Sequence, residues 1–250
     1  MKLEAAFCVA TGRNKTECQD TGLIGREIVN GSKGSLVCED PAWMLLMDGV
    51  GGNSGGKEAS VFVAAELARR APEADAHSIR GCVREVNNAL VSHALESPGR
   101  EHMATTLAGL FFSDGKAFLV YAGNSRVYIL QGPYLRQMSV DHTTYQMLVS
   151  NGNTEAAATC NRSEIVSCLG GGTAEYLSLL EVRRVFEQGL PATILVTTDG
   201  VHDHLSEDEI EEILKRPLSG EELAEALCRK ALENGSDDDR SVLLIHPPER

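Results

Sequence analysis

Two apolar runs in this 250-residue chain end in the same pair of residues. Trp43-Met44-Leu45-Leu46-Met47 runs into Asp48-Gly49, and Ala192-Thr193-Ile194-Leu195-Val196-Thr197-Thr198, rich in β-branched side chains, runs into Asp199-Gly200. Short runs of this kind suit buried strands, so each delivers a carboxylate to the rim of a sheet. Asp20, after a polar loop, and Asp238, in the acidic triplet 237–239 before the last apolar run, stand at similar positions. A single Asp-Gly pair is most often only a turn, and Asp114-Gly115 is assigned that role between two strands. Several rim aspartates together suit hard divalent cations such as Mg²⁺ and Mn²⁺, which take a few carboxylates and complete their octahedron with water. Glycine beside Asp48 lets the backbone approach, making the Gly49 carbonyl available as a further oxygen donor.

The remaining pattern divides into strands and paired helices. Helical spacing covers 56–70 and 77–95, separated by Pro72, with Ile79, Val83, Val86 and Leu90 on one face of the second. From residue 105 three runs joined by tight turns predict an antiparallel meander, and further strands are expected at 3–10, 23–30, 177–186 and 192–198. Ser206 with Glu209 and Ser219 with Glu222 have capping-box spacing, opening helices at about 206–215 and 219–233. Gly235 stops the second, and 240–246 closes as a strand. Strands in runs and helices in pairs indicate an α+β layering, expected here as one domain over 1–250.

Composition narrows the function classes. A net charge of −13 argues against broad phosphate-backbone binding, so nucleic acid is not an expected partner. The seven cysteines (8, 18, 38, 82, 160, 168, 228) are scattered and never form a CxxC, which reads as reduced thiols in a cytoplasm. The apolar stretch near the N-terminus is six residues long and includes no charge after Glu4, too short for a signal-peptide core, and no run suits a membrane span.

Several motifs in order resemble those of the metal-dependent protein serine/threonine phosphatases, the PPM or type 2C family, in its compact bacterial form. They are Cys18-Gln19-Asp20 (family Asn-Gln-Asp), Asp48-Gly49-Val50-Gly51-Gly52 with Gly56 and Ala59-Ser60 (DGxGG…G…AS), and Met103-Ala104-Thr105-Thr106 (MGTT). Then follow Gly123-Asn124-Ser125-Arg126 (GDSR), Asp141-His142-Thr143 (DHS), Thr198-Asp199-Gly200-Val201 (SDGL), and Gly235 with Asp238-Asp239-Arg240-Ser241-Val242 (G…DNxTV). The resemblance spans about 10–246. It implies a four-layer α-β-β-α sandwich, two central antiparallel sheets flanked by helix pairs, with two Mn²⁺ or Mg²⁺ ions at one end. Carried over, Asp48 bridges the metals, Asp199 and Asp238 complete the first, the Gly49 carbonyl faces the second, and Asp20 holds a water of the second. Asp48, Asp199 and Asp238 are thus the expected catalytic residues, activating water to attack phosphoserine or phosphothreonine. The implied partners are phosphorylated proteins, substrates of a cognate serine/threonine kinase, with the phosphatase itself a cytoplasmic monomer.

Two departures bear on that expectation. Lys15, with Arg13 two positions earlier, stands where the family places its phosphate-gripping arginine, and an ammonium lacks the guanidinium's bidentate fork. Asn124 replaces the aspartate associated with a weaker third metal, so that third site is expected to be weak or absent. Both favour a second reading, a weakly active relative that binds phosphoproteins as a regulatory module. A two-metal phosphodiesterase or nuclease is a third, disfavoured by the acidic charge. His202, three residues past Asp199, is a candidate for acid–base work, and His142 is read as structural.

Overall fold

A computed structural model describes residues 1–50 and 55–247, so Gly51 and Gly52 of the glycine-rich motif lie outside the described residues. In chain order the strands are β1 (Lys2–Ala10), β2 (Thr21–Gly25), β3 (Glu27–Val29), β4 (Lys33–Glu39), β5 (Ala42–Met47), β6 (Ala104–Thr105), β7 (Leu107–Ser113), β8 (Lys116–Ala122), β9 (Arg126–Gln131), β10 (Tyr134–Gln137), β11 (Leu169–Gly170), β12 (Glu181–Phe186), β13 (Ile194–Thr197) and β14 (Arg240–His246). The helices are α1 (Gly56–Ala68), α2 (Ala76–Leu95), α3 (Thr144–Ser150), α4 (Thr154–Ala157), α5 (Asp199–His202), α6 (Glu207–Leu214) and α7 (Gly220–Glu233).

Side-chain alternation sets the layers. On β5, Trp43, Leu45 and Met47 pack with Val63 and Leu67 of α1 and Val83 and Val86 of α2, while Ala42, Met44 and Leu46 face a second apolar layer. That layer holds Phe7 and Val9 of β1 and Leu243 and Ile245 of β14, so it is the interior between two sheets. On the far side of β1, Ala6 and Cys8 join Leu223, Leu227 and Ala231 of α7. A strand covered on both faces needs apolar residues at every position, and for that reason β5 reads as a continuous run. The first sheet runs β10-β9-β13-β14-β1-β4 and the second β12-β8-β7-β5-β2-β3. Every named pair within them is antiparallel. This is the expected α-β-β-α sandwich.

Local chemistry explains the element ends. Both predicted capping boxes form, at Ser206/Glu209 and Ser219/Glu222, and Asp75 caps α2 through the amides of His77 and Ser78. Asp114 and Gly115 both take positive φ, 52° and 72°, in the two-residue turn between β7 and β8.

Three sequence expectations are corrected. The span 23–30 is not one strand but the hairpin β2–β3. The meander ends after β8, because β9 pairs with β13 and β10 in the first sheet. Gly123, at φ 112°, lies where the chain crosses between sheets, and a Cβ there would come within 2.7 Å of the Thr106 side chain. Strand 177–186 shortens to β12, with a 3-10 turn at Ala174–Tyr176 before it. The segment 144–175, without a readable pattern, carries α3 and α4, and none of the α3 side chains is buried.

Candidate active site

Strand register brings the four aspartates to one end of the sandwich. In the second sheet Thr21 of β2 lies opposite Met47 of β5, so Asp20 and Asp48 flank adjacent strand ends. In the first sheet Thr197 of β13 lies opposite Val242 of β14, which sets Asp199 and Asp238 beyond neighbouring ends. A cavity of about 660 Å³ opens there, and its walls include Lys15, Gln19, Asp48, Gly49, Asp199 and Asp238.

Hydrogen bonds fix this rim. Asp48 is held by its backbone: its amide donates to Thr106 Oγ1 at 3.0 Å, and its carbonyl accepts from Thr106 N at 2.8 Å and Thr105 Oγ1 at 2.8 Å. Thr106 Oγ1 in turn lies 2.7 Å from Ser125 Oγ, so the Met103–Thr106 and Gly123–Arg126 motifs together support Asp48. Gly49 packs so closely on the start of α1 that a Cβ would stand 2.4 Å from the Gly56 carbonyl oxygen. Asp20 does not line the cavity wall. It is 1% exposed, and its Oδ2 accepts from Thr198 Oγ1 at 2.9 Å and Ser241 Oγ at 2.6 Å. A carboxylate of the second sheet is thereby tied to the ends of two strands of the first.

The acids repel one another. Burial, and then the carboxylates of Asp199, Asp20 and Asp238, push the Asp48 carboxyl well above the usual range. Asp199 is raised by burial and by Asp238, against a bond of 3.0 Å from Asn124 Nδ2 that lowers it. Asp20 is pushed up to about 7, mainly by burial, with the Ser241 bond opposing. Such crowding costs free energy unless positive charge enters.

One cation of the chain already stands there. Lys15 Nζ pairs with Asp238 and lies 3.0 Å from Asp239 Oδ2. Burial lowers its basicity, but the bonds to Asp238 and Asp239 outweigh this and leave the ammonium above its ordinary value. Arg13 does not line the cavity, and its guanidinium donates to the Leu232 carbonyl at 3.4 Å.

The histidines separate. His202 is buried, with Nδ1 2.8 Å from Thr197 Oγ1, and burial holds it well below its ordinary pKa; His204 lines the cavity instead. His142 is also buried, accepting from Gly123 N at 3.2 Å, with its pKa lowered to about 4 by burial. Sequence reading gave no role to Asp239, which it quoted only within the last motif, and did not single out His204, Ser163 or Ile165, which line the cavity. The motif resemblance selected Asp238 from the triplet 237–239, and nothing in the sequence marked a separate role for its neighbour Asp239.

Among the described residues no three His, Cys, Asp or Glu side chains close around a single point as a complete protein cage would. Mg²⁺ and Mn²⁺ do not need one, since they accept one or two carboxylates and keep several waters. The donors at this cavity are oxygens of Asp48, Asp199, Asp238 and the backbone of Gly49, without thiolate, and they fit a hard cation.

No family model matches the chain. It is 30% identical over 226 residues to the serine/threonine protein phosphatase PstP of Mycobacterium tuberculosis, an alignment covering 88% of this chain and 43% of that protein. The chain thus spans less than half the length of that relative. It is 27% identical over 214 residues to the serine/threonine phosphatase stp of Listeria monocytogenes, covering 81% of this chain and 83% of that one. Among solved structures, the catalytic domain of the serine threonine protein phosphatase PstP in complex with two manganese ions superposes with a TM-score of 0.74 at 26% identity, covering all of both chains. The chain belongs to the PPM family. In this PPM chain the seven motifs are not scattered along the fold. Gln19-Asp20, Asp48-Gly49, Thr105-Thr106, Asn124-Ser125, Thr198-Asp199 and Asp238 to Ser241 meet at one sheet end, linked by the hydrogen bonds above. The PPM pair Arg126 and Asp141 forms a two-armed ion pair beside them, at 2.6–3.0 Å.

Proposed function

We propose that the chain is a metal-dependent protein phosphatase hydrolysing phosphoserine and phosphothreonine, one PPM domain over 1–250. The single observation that carries this reading is the mutual crowding of Asp48, Asp199 and Asp238 at a cavity that also presents an ammonium. Asp48, Asp199, Asp238 and the Gly49 carbonyl would hold two Mn²⁺ or Mg²⁺ ions, with Asp20 orienting a water behind them. When bound, such ions supply charge neutralisation at the phosphoryl oxygens and acidify a water for in-line attack. Lys15 contributes a point charge to the phosphoryl group, and the buried bonds from Thr198 and Ser241 keep Asp20 fixed while the site is empty of substrate. No cysteine lines the cavity among the described residues, consistent with water as the nucleophile.

Manganese-dependent hydrolysis of p-nitrophenyl phosphate and of a phosphothreonine peptide tests the reading. Asp199→Asn and Asp238→Asn should each lose most turnover, and calorimetric titration should show at least one manganese site missing. Unchanged stoichiometry in both variants would overturn the ligand assignment. Turnover of bis-p-nitrophenyl phosphate in preference to the monoester would point to a phosphodiesterase instead.

The phosphoprotein-binding module remains a second reading because Lys15 is already engaged by two carboxylates and Asn124 by Asp199. Peptide binding without turnover in millimolar manganese is its signature. The substrates would be proteins phosphorylated by a cognate serine/threonine kinase, met as a monomer in the cytoplasm. Among the described residues no helix is long and apolar enough to cross a membrane.

A further inference from the structure

Asp239, adjacent to the expected metal ligand Asp238, is 2% exposed and does not line the cavity. Its Oδ1 accepts from Gly12 N at 2.7 Å, and its Oδ2 accepts from Gln19 N at 2.9 Å and from Lys15 Nζ at 3.0 Å. Both ends of loop 12–19 and the charged head of its lysine therefore converge on one buried carboxylate. The loop is pressed against the same segment elsewhere: a Cβ on Gly12 would stand 2.5 Å from the Asp237 carbonyl oxygen, and Arg240 donates to the Thr11 carbonyl at 3.0 Å.

We propose that Asp239 is a positioning residue for phosphate recognition: it anchors the Lys15 ammonium and the loop carrying it at the cavity wall, so that Lys15 meets the phosphoryl group already ordered. This rests on the phosphatase reading. Two departures from the motif pattern, Lys15 for arginine and Asp239 for asparagine, meet in space. An arginine brings a planar fork pre-organised for its hydrogen bonds, whereas a lysine ends in a point charge on a flexible stem and loses more freedom for each bond it forms. A buried carboxylate that fixes the ammonium recovers part of the missing order and leaves a further N–H of Lys15 free for phosphate. Asp238 does not serve equally, because its oxygens are the ones expected to face a metal, and it is half exposed where Asp239 is enclosed.

A double-mutant cycle tests the proposal, using Asp239→Asn, Lys15→Met and the double variant in saturating manganese, with inorganic phosphate as inhibitor and a phosphothreonine peptide as substrate. Asp239→Asn should weaken phosphate inhibition and raise KM by about tenfold while kcat changes by less than about threefold. In the Lys15→Met background the same substitution should change neither constant. Unaltered phosphate inhibition in Asp239→Asn, or an equal loss with and without Lys15, overturns the proposal. A second measurement needs no turnover: acylation of Lys15 by an amine-reactive ester in metal-free protein, read by peptide mass spectrometry. Lys15 should react several-fold faster in Asp239→Asn than in the wild type and stay protected in Asp238→Asn, which keeps Asp239 intact. Loss of protection in Asp238→Asn equal to that in Asp239→Asn overturns the anchoring role. A wild type that turns over no phosphoester yet shows this labelling pattern sinks the phosphatase reading and leaves the anchor standing.

Discussion

The Asn124 carboxamide donates through Nδ2 to Asp199 Oδ2 at 3.0 Å, while its own Oδ1 is buried with no hydrogen-bond partner among the described residues. The amide thus relieves Asp199 of part of the repulsion around it without adding charge. Asn124→Asp replaces that donor with a second carboxylate facing that of Asp199. In chelator the variant should be less stable by about 1–3 kcal/mol, a fall of roughly 3–8 °C in melting temperature for a chain of this size. Manganese should restore most of the difference, and calorimetry should show one more weak site than in the wild type. An equal deficit in chelator and in manganese would mean that Asn124 acts through packing alone.

Metal-free stability should depend on pH in a direction set by Asp20. Its folded pKa of about 7 lies above the ordinary carboxylate value, so the folded protein holds the proton more tightly than the unfolded chain. That contribution is complete below about pH 4 and is lost as pH rises through about 7. Asp48, raised further by burial and the other acids, acts in the same sense. The gain in melting temperature on adding manganese should therefore grow between pH 5 and pH 8, by on the order of 5–10 °C. Taking the difference between loaded and metal-free protein cancels the opposite acid sensitivity of buried His142. A gain that is flat or falling with pH would contradict the electrostatic account of the cavity.

Gly49 is required for close approach. With a Cβ 2.4 Å from the Gly56 carbonyl oxygen and 2.8 Å from that of Gln19, Gly49→Ala must push α1 or the Gln19-Asp20 strand entry outward. We expect a loss of about 2–4 kcal/mol and a manganese affinity at least tenfold weaker, measured by denaturant titration and calorimetry on the same preparation. Gly81→Ala serves as the control, since nothing lies within 4 Å of its Cβ position.

The Arg126–Asp141 pair should be expensive to halve and cheap to remove. The guanidinium reaches both carboxylate oxygens at 2.6–3.0 Å, with Asp141 13% exposed. Arg126→Met leaves that carboxylate without a counter-charge, with only the Gln137 amide donating to it at 3.1 Å, and should cost about 3–5 kcal/mol, whereas Arg126→Met with Asp141→Leu should recover at least half. Denaturant midpoints with unchanged slopes would give both numbers, and strict additivity of the single losses would show that the pair is not coupled.

The layers were legible because burial on both faces writes itself as unbroken apolar runs, as in β5 and β14. Helix starts were legible because Ser206/Glu209 and Ser219/Glu222 are local chemistry. What escaped has a physical reason in each case. β4 is an edge strand whose residues alternate between exposed and half-buried, so Lys33-Gly34-Ser35 carries no apolar signal. β9 follows β8 by a tight turn, and nothing in that turn reveals that the partner lies in the other sheet. The register of β14 decides which acid of 237–239 turns inward, and that register depends on β1 and β13, more than forty residues away. The bonds from Thr198 and Ser241 to Asp20 are likewise long-range and have no spacing to betray them.

Asp20 and Asp48 stand at the ends of one sheet's strands, Asp199 and Asp238 at the ends of the other's, and away from that rim the described residues between the sheets are interlocked hydrocarbon. Ions held by Asp48 of one sheet together with Asp199 and Asp238 of the other would work as a rivet through two plates, and their affinity would become a gauge of how the plates sit. Enlarging Ala117 in the intervening layer, at the far end of the β7–β8 pair from Asp48, would spread the plates and loosen the rivet before the fold itself gave way.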